Sequence, residues 1–319
     1  MSRFFGLWLL LFFFITCDKG LDEVSDPAFF TRDVDLFWQV YDSNENPADI
    51  DFQKLYIDKG SAGLKDYATQ KNLAAGLKNT LYQKAYRDYY DAIRPNTGNY
   101  LQVAERSGQA FETLKEIHPA TKFYNVYFMI GAMTSGGRIS KNGLLIAVEM
   151  FSRSDNTNVD NLSSWHRNVT RNKEYLPSIV VHEFIHMQQN FTSRNSRYTT
   201  LLEQSIREGM ADFISFYLLP DQPFMNDHLH QYGEEHEQEL WELFSEQKDM
   251  NYKETQWLYS GTETSQGYPA DMGYYMGFKI LESFAATFES TESAISAMLS
   301  NGNYVYLFEQ SGYADKFDE

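Results

Sequence analysis

The chain has 319 residues, of which 43 % are hydrophobic and 16 % aromatic, enough for a folded core, so intrinsic disorder is excluded. The formal net charge of −17 gives a surface that repels nucleic acid and anionic lipid head groups, and neither is expected as a partner. Because Cys17 is the single cysteine, a disulfide within the chain is excluded.

Residues 1–17 have the layout of a secretory signal, since Arg3 precedes an apolar stretch of about a dozen residues that is too short to span a membrane. The stretch ends in Ile15-Thr16-Cys17, which resembles a bacterial lipobox. We therefore predict a lipoprotein of the bacterial cell envelope, anchored through Cys17 in the outer membrane or at the cell surface. A soluble secreted protein whose signal happens to contain a cysteine is the alternative. The acidic residues 18–28 are predicted to be a tether.

Residues 29–120 have helical periodicity, with helices predicted at 33–41, 75–93 and 101–117. The last two end before prolines. A run of tyrosines spaced three and four apart predicts a packing face rather than a binding platform: Tyr82, Tyr86, Tyr89 and Tyr90.

At residue 121 the sequence pattern changes from helical periodicity to one that is typical of strands. The apolar runs at 123–130 and 143–150 are typical of buried strands, and the glycine-containing stretch 131–137 between them is predicted to be a loop. A polar, loop-like stretch at 152–176 then leads to a helix, for which Pro177 is a suitable first-turn residue.

That helix contains His182-Glu183-Phe184-Ile185-His186, a His-Glu-x-x-His motif. Residues four apart lie on the same face of a helix, so His182 and His186 can bind one metal ion together. Zinc suits imidazole nitrogen, and Glu183 is placed to reach a water on the metal as general base. The alternative is an ordinary surface helix that carries two histidines and a glutamate.

A second predicted helix, 201–219, carries Glu208 and, one turn later, Asp212. A glutamate from a second helix completes a His/His/Glu zinc site, and Asp212 could accept the second N–H of a ligand histidine. Glu203 competes with Glu208 for the ligand role.

Together, His182-Glu183-x-x-His186 and Glu208-x-x-x-Asp212 resemble the gluzincin metallopeptidases and, more closely, the bacterial predicted zinc-dependent protease lipoproteins. The resemblance covers roughly residues 121 to 285. It implies zinc ligands at His182, His186 and Glu208, with Glu183 as catalytic base. It also implies an open strand edge that aligns an extended peptide, for which residues 144–150 are the candidate and a fully paired interior strand the alternative.

The last hundred residues contain an acidic stretch from 220 to 249, whose histidines are either extra ligands, a transition-state donor or, as we favour, solvated: His228, His230 and His236. The run Gly273-Tyr274-Tyr275-Met276-Gly277 opens a helix predicted to continue to residue 300. Its glycines would allow close packing or leave room beside the metal. Tyr274 or Tyr275 is the candidate donor to the oxyanion.

These patterns predict an α+β fold, in which a zincin-like catalytic domain at 121–319, with a small sheet packed on the motif helix, follows a mainly helical region at 29–120. The predicted function is zinc-dependent hydrolysis of a peptide or protein substrate in the cell envelope. The alternative is a non-catalytic surface lipoprotein that binds a peptide or protein partner, for which a closed fourth ligand such as His230 would argue.

Overall fold

The computed structural model describes residues 20–98, 100–193, 197–260 and 267–317. The predicted signal and its Cys17 lie outside these ranges, as does the start of the tether. The fold is α+β and mainly helical, with one four-stranded sheet. None of the helices in the described part of the chain is long and apolar enough to cross a membrane.

The N-terminal region is helical, as predicted, after the short strand β1 (Phe29–Phe30). The prediction of one helix over 75–93 was wrong, because the backbone of Gln83 is extended and divides it. The helices are α1 (Arg32–Tyr41), α2 (Ala62–Lys71), α3 (Leu73–Tyr82), α4 (Lys84–Ile93) and α5 (Leu101–Ile117).

The tyrosine run in this region forms a packing face, as predicted, except at its first member. Tyr89 and Tyr90 are buried in the core, whereas Tyr82 is 77 % exposed at the end of α3. The hydroxyl of Tyr90 donates to the carbonyl of Gly131 at 2.7 Å, so this face also binds the loop that follows the next strand.

The sheet has the strand order β1-β2-β4-β3, with β2 at Val126–Met129, β3 at Gly137–Ser140 and β4 at Gly143–Ala147. β1, β2 and β4 are parallel, and every residue of β2 and β4 is buried, as expected for parallel strands covered on both faces. β3 pairs with β4 in an antiparallel hairpin. Gly143 closes this hairpin with φ +132°, and a Cβ atom there would lie 2.1 Å from the carbonyl oxygen of Asn125.

The prediction that residues 144–150 form the open edge was therefore wrong. β4 has a hydrogen-bonded neighbour on each side, β2 and β3, and after Ala147 the chain leaves the sheet in a 3₁₀ turn. Among the described strands, β3 occupies this edge of the sheet. β3 was not predicted from the sequence, because Gly137–Ser140 is short and carries no apolar run.

The rest of the chain is helical and packs on the sheet and on itself. One long helix predicted to end at residue 300 is two helices, separated at 286–290, and a further helix follows them. The helices are α6 (Ser164–Val169), α7 (Leu176–Gln188), α8 (Leu201–Leu218), α9 (Asp227–Glu235), α10 (Glu237–Gln247), α11 (Met272–Ala285), α12 (Thr291–Ser300) and α13 (Tyr304–Ser311).

Glycines allow α8 and α11 to pack with their backbones in contact. A Cβ atom on Gly277 would lie 1.7 Å from the carbonyl oxygen of Ser205, and one on Gly209 would lie 2.2 Å from the carbonyl carbon of Gly277. The close packing predicted from the Gly-Tyr-Tyr-x-Gly run is confirmed, and its partner is the helix that carries Glu208.

Candidate metal centre

The motif helix α7 is buried on all sides. All residues from Leu176 to His186 are buried, and Pro177 lies in its first turn, where a missing N–H costs nothing. His182 and His186 are 4 % and 5 % exposed, so the structure does not support the alternative of an ordinary surface helix.

α8 begins at a capping box that accounts for Glu203. The Thr200 hydroxyl accepts the backbone N–H of Glu203, and the Glu203 carboxylate accepts the backbone N–H of Thr200 at 2.9 Å. Glu203 is therefore committed to the helix start and is not part of the group of possible ligands. Glu208, which lies further along the same helix, does belong to that group.

The side chains of His182, His186 and Glu208 converge, with one ligand atom from each lying within 4.8 Å of the others. The Nε2 atoms of the two histidines are 3.1 Å apart, and Glu208 Oε2 lies 3.2 Å from Nε2 of His186 and 3.5 Å from Nε2 of His182. In a tetrahedral zinc site with bonds near 2.0–2.1 Å, neighbouring ligand atoms are about 3.3 Å apart. The three atoms therefore fit one zinc ion and leave a fourth position for another ligand.

A second layer of side chains orients two of these ligands. His182 Nδ1 donates to Asp212 Oδ1 at 2.8 Å, and Asn226 donates to the other Asp212 oxygen at 2.6 Å. His186 Nδ1 lies 2.8 Å from Oε1 of Gln189. With both Nδ1 atoms engaged, Nε2 is the atom of each ring that faces the centre, and it would bind a metal through its lone pair once any proton there has left.

Glu208 is oriented through its other oxygen. Oε1 accepts the hydroxyl of Tyr259 at 2.7 Å and the amide of Gln204 at 3.1 Å. Neither residue was predicted from the sequence to belong to the centre. Gln204 lies four residues before Glu208 on the same helix face, a spacing that could have revealed it, whereas Tyr259 lies in a distant loop and carries no local signal.

The electrostatics of the centre favour a bound cation. Burial opposes the charge on Glu208, but the neighbouring His186 and His182 hold the pKa of its carboxyl well below its usual range. Burial likewise lowers the pKa of His182, but hydrogen bonds to Asp212 and Glu208 outweigh it and raise this pKa to about 10. In the absence of metal, a proton on His182 therefore supplies the positive charge that stabilises the carboxylates of Asp212 and Glu208.

Glu183 lies beside the ligands without joining them. It is 6 % exposed, and its Oε2 atom has no hydrogen-bond partner among the described residues. Burial raises the pKa of its carboxyl. A Cβ atom on Gly137, at the start of β3, would lie 3.2 Å from the Glu183 carboxyl carbon, so this glycine leaves space for the side chain. A buried carboxylate with an unused acceptor is suited to receive a proton from a bound molecule.

A cleft of 810 Å³ opens above the centre. Its lining includes His182, Glu183, His186 and Glu208, together with Gly136 from the turn before β3. Apolar and aromatic side chains from the 3₁₀ turn after β4, from α6, α7 and α9, and from the segment before α11 cover much of its wall: Phe151, Trp165, Ile179, Leu229, Tyr232 and Tyr268. Such a cleft has the size and lining of a site for a peptide-sized ligand.

The two adjacent tyrosines of α11 point in different directions. Tyr274 lines the cleft, and its ring stacks on His182 with centroids 6.2 Å apart. Tyr275 is not part of the lining; its ring packs against His230 and lies over Gly233. Of the two candidate donors, the structure therefore brings Tyr274 to the centre and directs Tyr275 into the core.

The three histidines after α8 are not part of the ligand group formed by the described residues. His228 is exposed and lines the cleft, and His236 lies at the surface 3.1 Å from Glu239, which agrees with the solvated positions that we favoured. His230 differs, because its ring packs among Phe224, Tyr275 and Phe278. It therefore does not provide the closed fourth ligand.

Comparison with known proteins yields one family. No curated protein and no solved structure matches the chain. Residues 35–315 match the model of a lipoprotein family described as gliding motility protein GldB. This match confirms the predicted location in the cell envelope through a lipid anchor. Because the match covers well over half of the chain, the protein belongs to the family of gliding motility protein GldB.

Proposed function

We propose that this protein is a zinc-dependent peptidase on the cell envelope. The observation that supports this best is the convergence of His182, His186 and Glu208 in a buried centre that opens to a cleft, beside the Oε2 atom of Glu183, which has no hydrogen-bond partner among the described residues. Two nitrogen ligands and one carboxylate with a free fourth position are typical of catalytic rather than structural zinc. The resemblance of these residues to the gluzincin motif agrees with this class.

Each residue then has a separate task. His182, His186 and Glu208 would hold the ion, and Asp212 would fix the His182 ring with Nε2 toward it. Bound zinc would polarise the carbonyl of the scissile bond and make water more acidic. Glu183 would take a proton from the attacking water at Oε2 and give it to the leaving amine.

Tyr274 is the proposed donor to the developing oxyanion. It lines the cleft beside His182, and a phenolic O–H can donate to negative charge that grows on the carbonyl oxygen. Burial and the nearby Glu208 raise the pKa of Tyr274 well above its usual value, so the hydroxyl keeps its proton at neutral pH.

The second candidate function is non-catalytic. The family match favours it, since the family is described by gliding motility and not by an enzymatic activity. In that case the protein would be a lipoprotein of the gliding machinery that binds a peptide or protein partner in the cleft, and the metal would stabilise the arrangement of α7 and α8.

Metal analysis and a peptidase assay test the proposal. Purified protein should contain about one zinc per chain, and His186→Ala should lose it. His236→Ala is the matched control, because His236 lies at the surface and should not affect zinc. Cleavage of a mixed peptide library that stops on addition of a chelator and returns with zinc would support the peptidase. Zinc retained in the His186→Ala protein would contradict the site, and zinc binding without cleavage would favour the second candidate.

A further inference from the structure

The cleft wall contains one permanently charged cation among the residues that line it, Arg171. Besides four tyrosines, the other ionisable groups in the lining are three carboxylates and three histidines, of which two histidines belong to the metal centre. The chain has a net charge of −17, so most of its surface repels anions. Arg171 is notable because it could bind a negatively charged group in the cleft.

The backbone of Arg171 is fixed at both of its polar groups. Its N–H donates to the carbonyl of Met150 at 2.8 Å, and its carbonyl accepts the N–H of Arg153 at 3.1 Å. Met150 and Phe151, three and two residues before Arg153, also line the cleft. The segment that carries Arg171 is therefore tied to the chain leaving β4, and the side chain starts from a defined position.

The guanidinium group is only partly used by the protein. One terminal nitrogen, Nη1, donates to the carbonyls of Asn168 and Thr170. Within the described residues, neither Nε nor Nη2 has a hydrogen-bond acceptor, and no carboxylate lies within ion-pair distance. Since a guanidinium offers five donors in a planar fork, this leaves the Nε–H and both Nη2–H donors, the edge that matches a carboxylate, available.

Asp271 is the nearby carboxylate that could compete for Arg171. It also lines the cleft, but its Oδ1 accepts the backbone N–H of Ser260 at 3.2 Å. Burial is the main influence on Asp271 and raises its pKa to about 6, and the positive charge of Arg171 offsets only part of that rise. Burial also lowers the pKa of Arg171. In both groups, therefore, the surrounding protein does not fully offset the cost of burying the charge.

We propose that Arg171 recognises a carboxylate of the peptide that occupies the cleft. The carboxylate could be the C-terminal group or an Asp or Glu side chain, since both present the same two oxygens to the guanidinium fork. This inference rests on the proposed function, because the metal centre holds the same peptide. It assigns the substrate class as acidic or carboxyl-terminal peptides.

Binding of a metal-directed probe tests this without any need for turnover. Three dipeptide hydroxamates are compared on zinc-loaded protein: one with a free C-terminus, its C-terminal amide, and the amide with a Glu side chain. Quenching of tryptophan fluorescence is a suitable signal, since Trp165 lines the cleft. A charged hydrogen-bonded pair of this kind should strengthen binding about tenfold to a hundredfold over the plain amide. Which acid probe gains shows the source of the carboxylate.

Variants assign the effect to Arg171. Arg171→Gln should bind all three probes equally, at the affinity of wild type for the plain amide, and Arg171→Lys should keep only part of the preference because it lacks the fork. Arg167→Gln is the matched control: Arg167 lies in the same segment, donates to the carbonyl of Leu162 and is not part of the lining, so the preference should be unchanged.

The outcomes separate this inference from the proposed function. Equal binding of all three probes by wild type would overturn the role of Arg171 while leaving the metal centre intact. A preference retained in Arg171→Gln would also overturn it. Failure of every probe to bind zinc-loaded protein would instead contradict the proposed function.

Discussion

At the scale of single residues, the candidate metal centre is defined by the partners of its ligands as much as by the ligands. Asp212 binds His182 and is itself bound by Asn226, while Tyr259 and Gln204 share the second oxygen of Glu208. Each of these bonds restricts a ligand to the orientation in which it faces the centre. Ligands fixed in advance lose less conformational entropy when they bind a metal.

Removing the Asp212 carboxylate should therefore weaken metal binding without removing a metal ligand. We expect Asp212→Ala to lower zinc affinity about tenfold to a hundredfold, measured by competition with a chromophoric chelator. Asp212→Asn keeps one acceptor oxygen for His182 Nδ1 and should lose less. An unchanged affinity in Asp212→Ala would show that the His182 orientation is set by packing alone.

The residues of the centre were predictable from the sequence to the extent that they share a helix. His182 and His186 lie one turn apart, as do Glu208 and Asp212, so helical periodicity alone brings each pair to one face. The oxyanion candidates could not be separated in this way, because Tyr274 and Tyr275 lie about 100° apart on α11 and only packing decides which faces the cleft. Tyr259 and Arg171 depend on loops, whose paths the sequence pattern does not determine.

At the scale of elements, the contact of α8 with α11 determines where Glu208 lies. Ser205 is one turn before Glu208, and its carbonyl lies where any side chain on Gly277 would have to be. The two helices can approach this closely only because of the glycines. The contact places Tyr274 and Glu208 on neighbouring helices beside the same cleft.

We expect Gly277→Ala to destabilise the protein by about 3 kcal/mol, because the new methyl group overlaps backbone that cannot move without shifting α8. Urea unfolding measures this. Gly108→Ala in α5 is the matched control: its methyl group would meet only Phe29, at 3.9 Å, and should raise stability by about 0.5–1 kcal/mol. Equal stability of the Gly277→Ala protein and wild type would contradict the close packing.

The elements that the sequence did not reveal lack a local signal. The break at Gln83 lies inside continuous helical periodicity, and the two-residue strand β1 exists only because β2 lies beside it. The helix over 101–117 was predicted with its correct bounds because Pro119 marks its end. The identity of the sheet edge depends on β3, a strand formed by pairing with β4 rather than by its own composition.

At the scale of the whole molecule, the N-terminal helical region supports the loop between β2 and β3. Hydroxyl groups of its buried tyrosines donate to backbone carbonyls of that loop, from Tyr56 to Ile130 and from Tyr67 to Ser135. The loop then reaches Gly136, in the cleft wall, and Gly137, against Glu183. The region at 29–120 is thus linked by direct hydrogen bonds to the loop that leads into β3, the strand beside the proposed base.

A buried carboxylate completes this support and makes stability depend on pH. Glu149 accepts the N–H groups of Gly131 and Met133, yet burial dominates and raises its pKa from 4.5 to about 7. Between these values the folded protein binds more protons than the unfolded chain. The free energy of unfolding should therefore fall by about 3 kcal/mol as pH rises through this range.

Glu149→Gln tests this dependence, because glutamine does not titrate. The difference between the unfolding curves of wild type and variant, taken at several pH values from 4 to 8 with equal zinc loading, should show the loss of this slope. Asp271 titrates in both proteins, so its contribution cancels. A variant whose stability follows the same pH dependence as wild type would show that Glu149 keeps its charge in the folded protein.

The proposed role of Glu183, as the base of a zinc peptidase, is tested by comparing wild type with a variant that lacks the carboxylate. Wild type and Glu183→Gln are assayed on a cleaved peptide, with zinc measured in both. We expect zinc content and folding to be retained, because Glu183 is not a ligand, and turnover to fall by about 10²–10⁴ with loss of the proton acceptor. Equal rates of cleavage by the two proteins at equal zinc content would contradict this role of Glu183. Full restoration of gliding by the Glu183→Gln variant, in cells that lack the wild-type protein, would also contradict it and leave the cleft as a binding site.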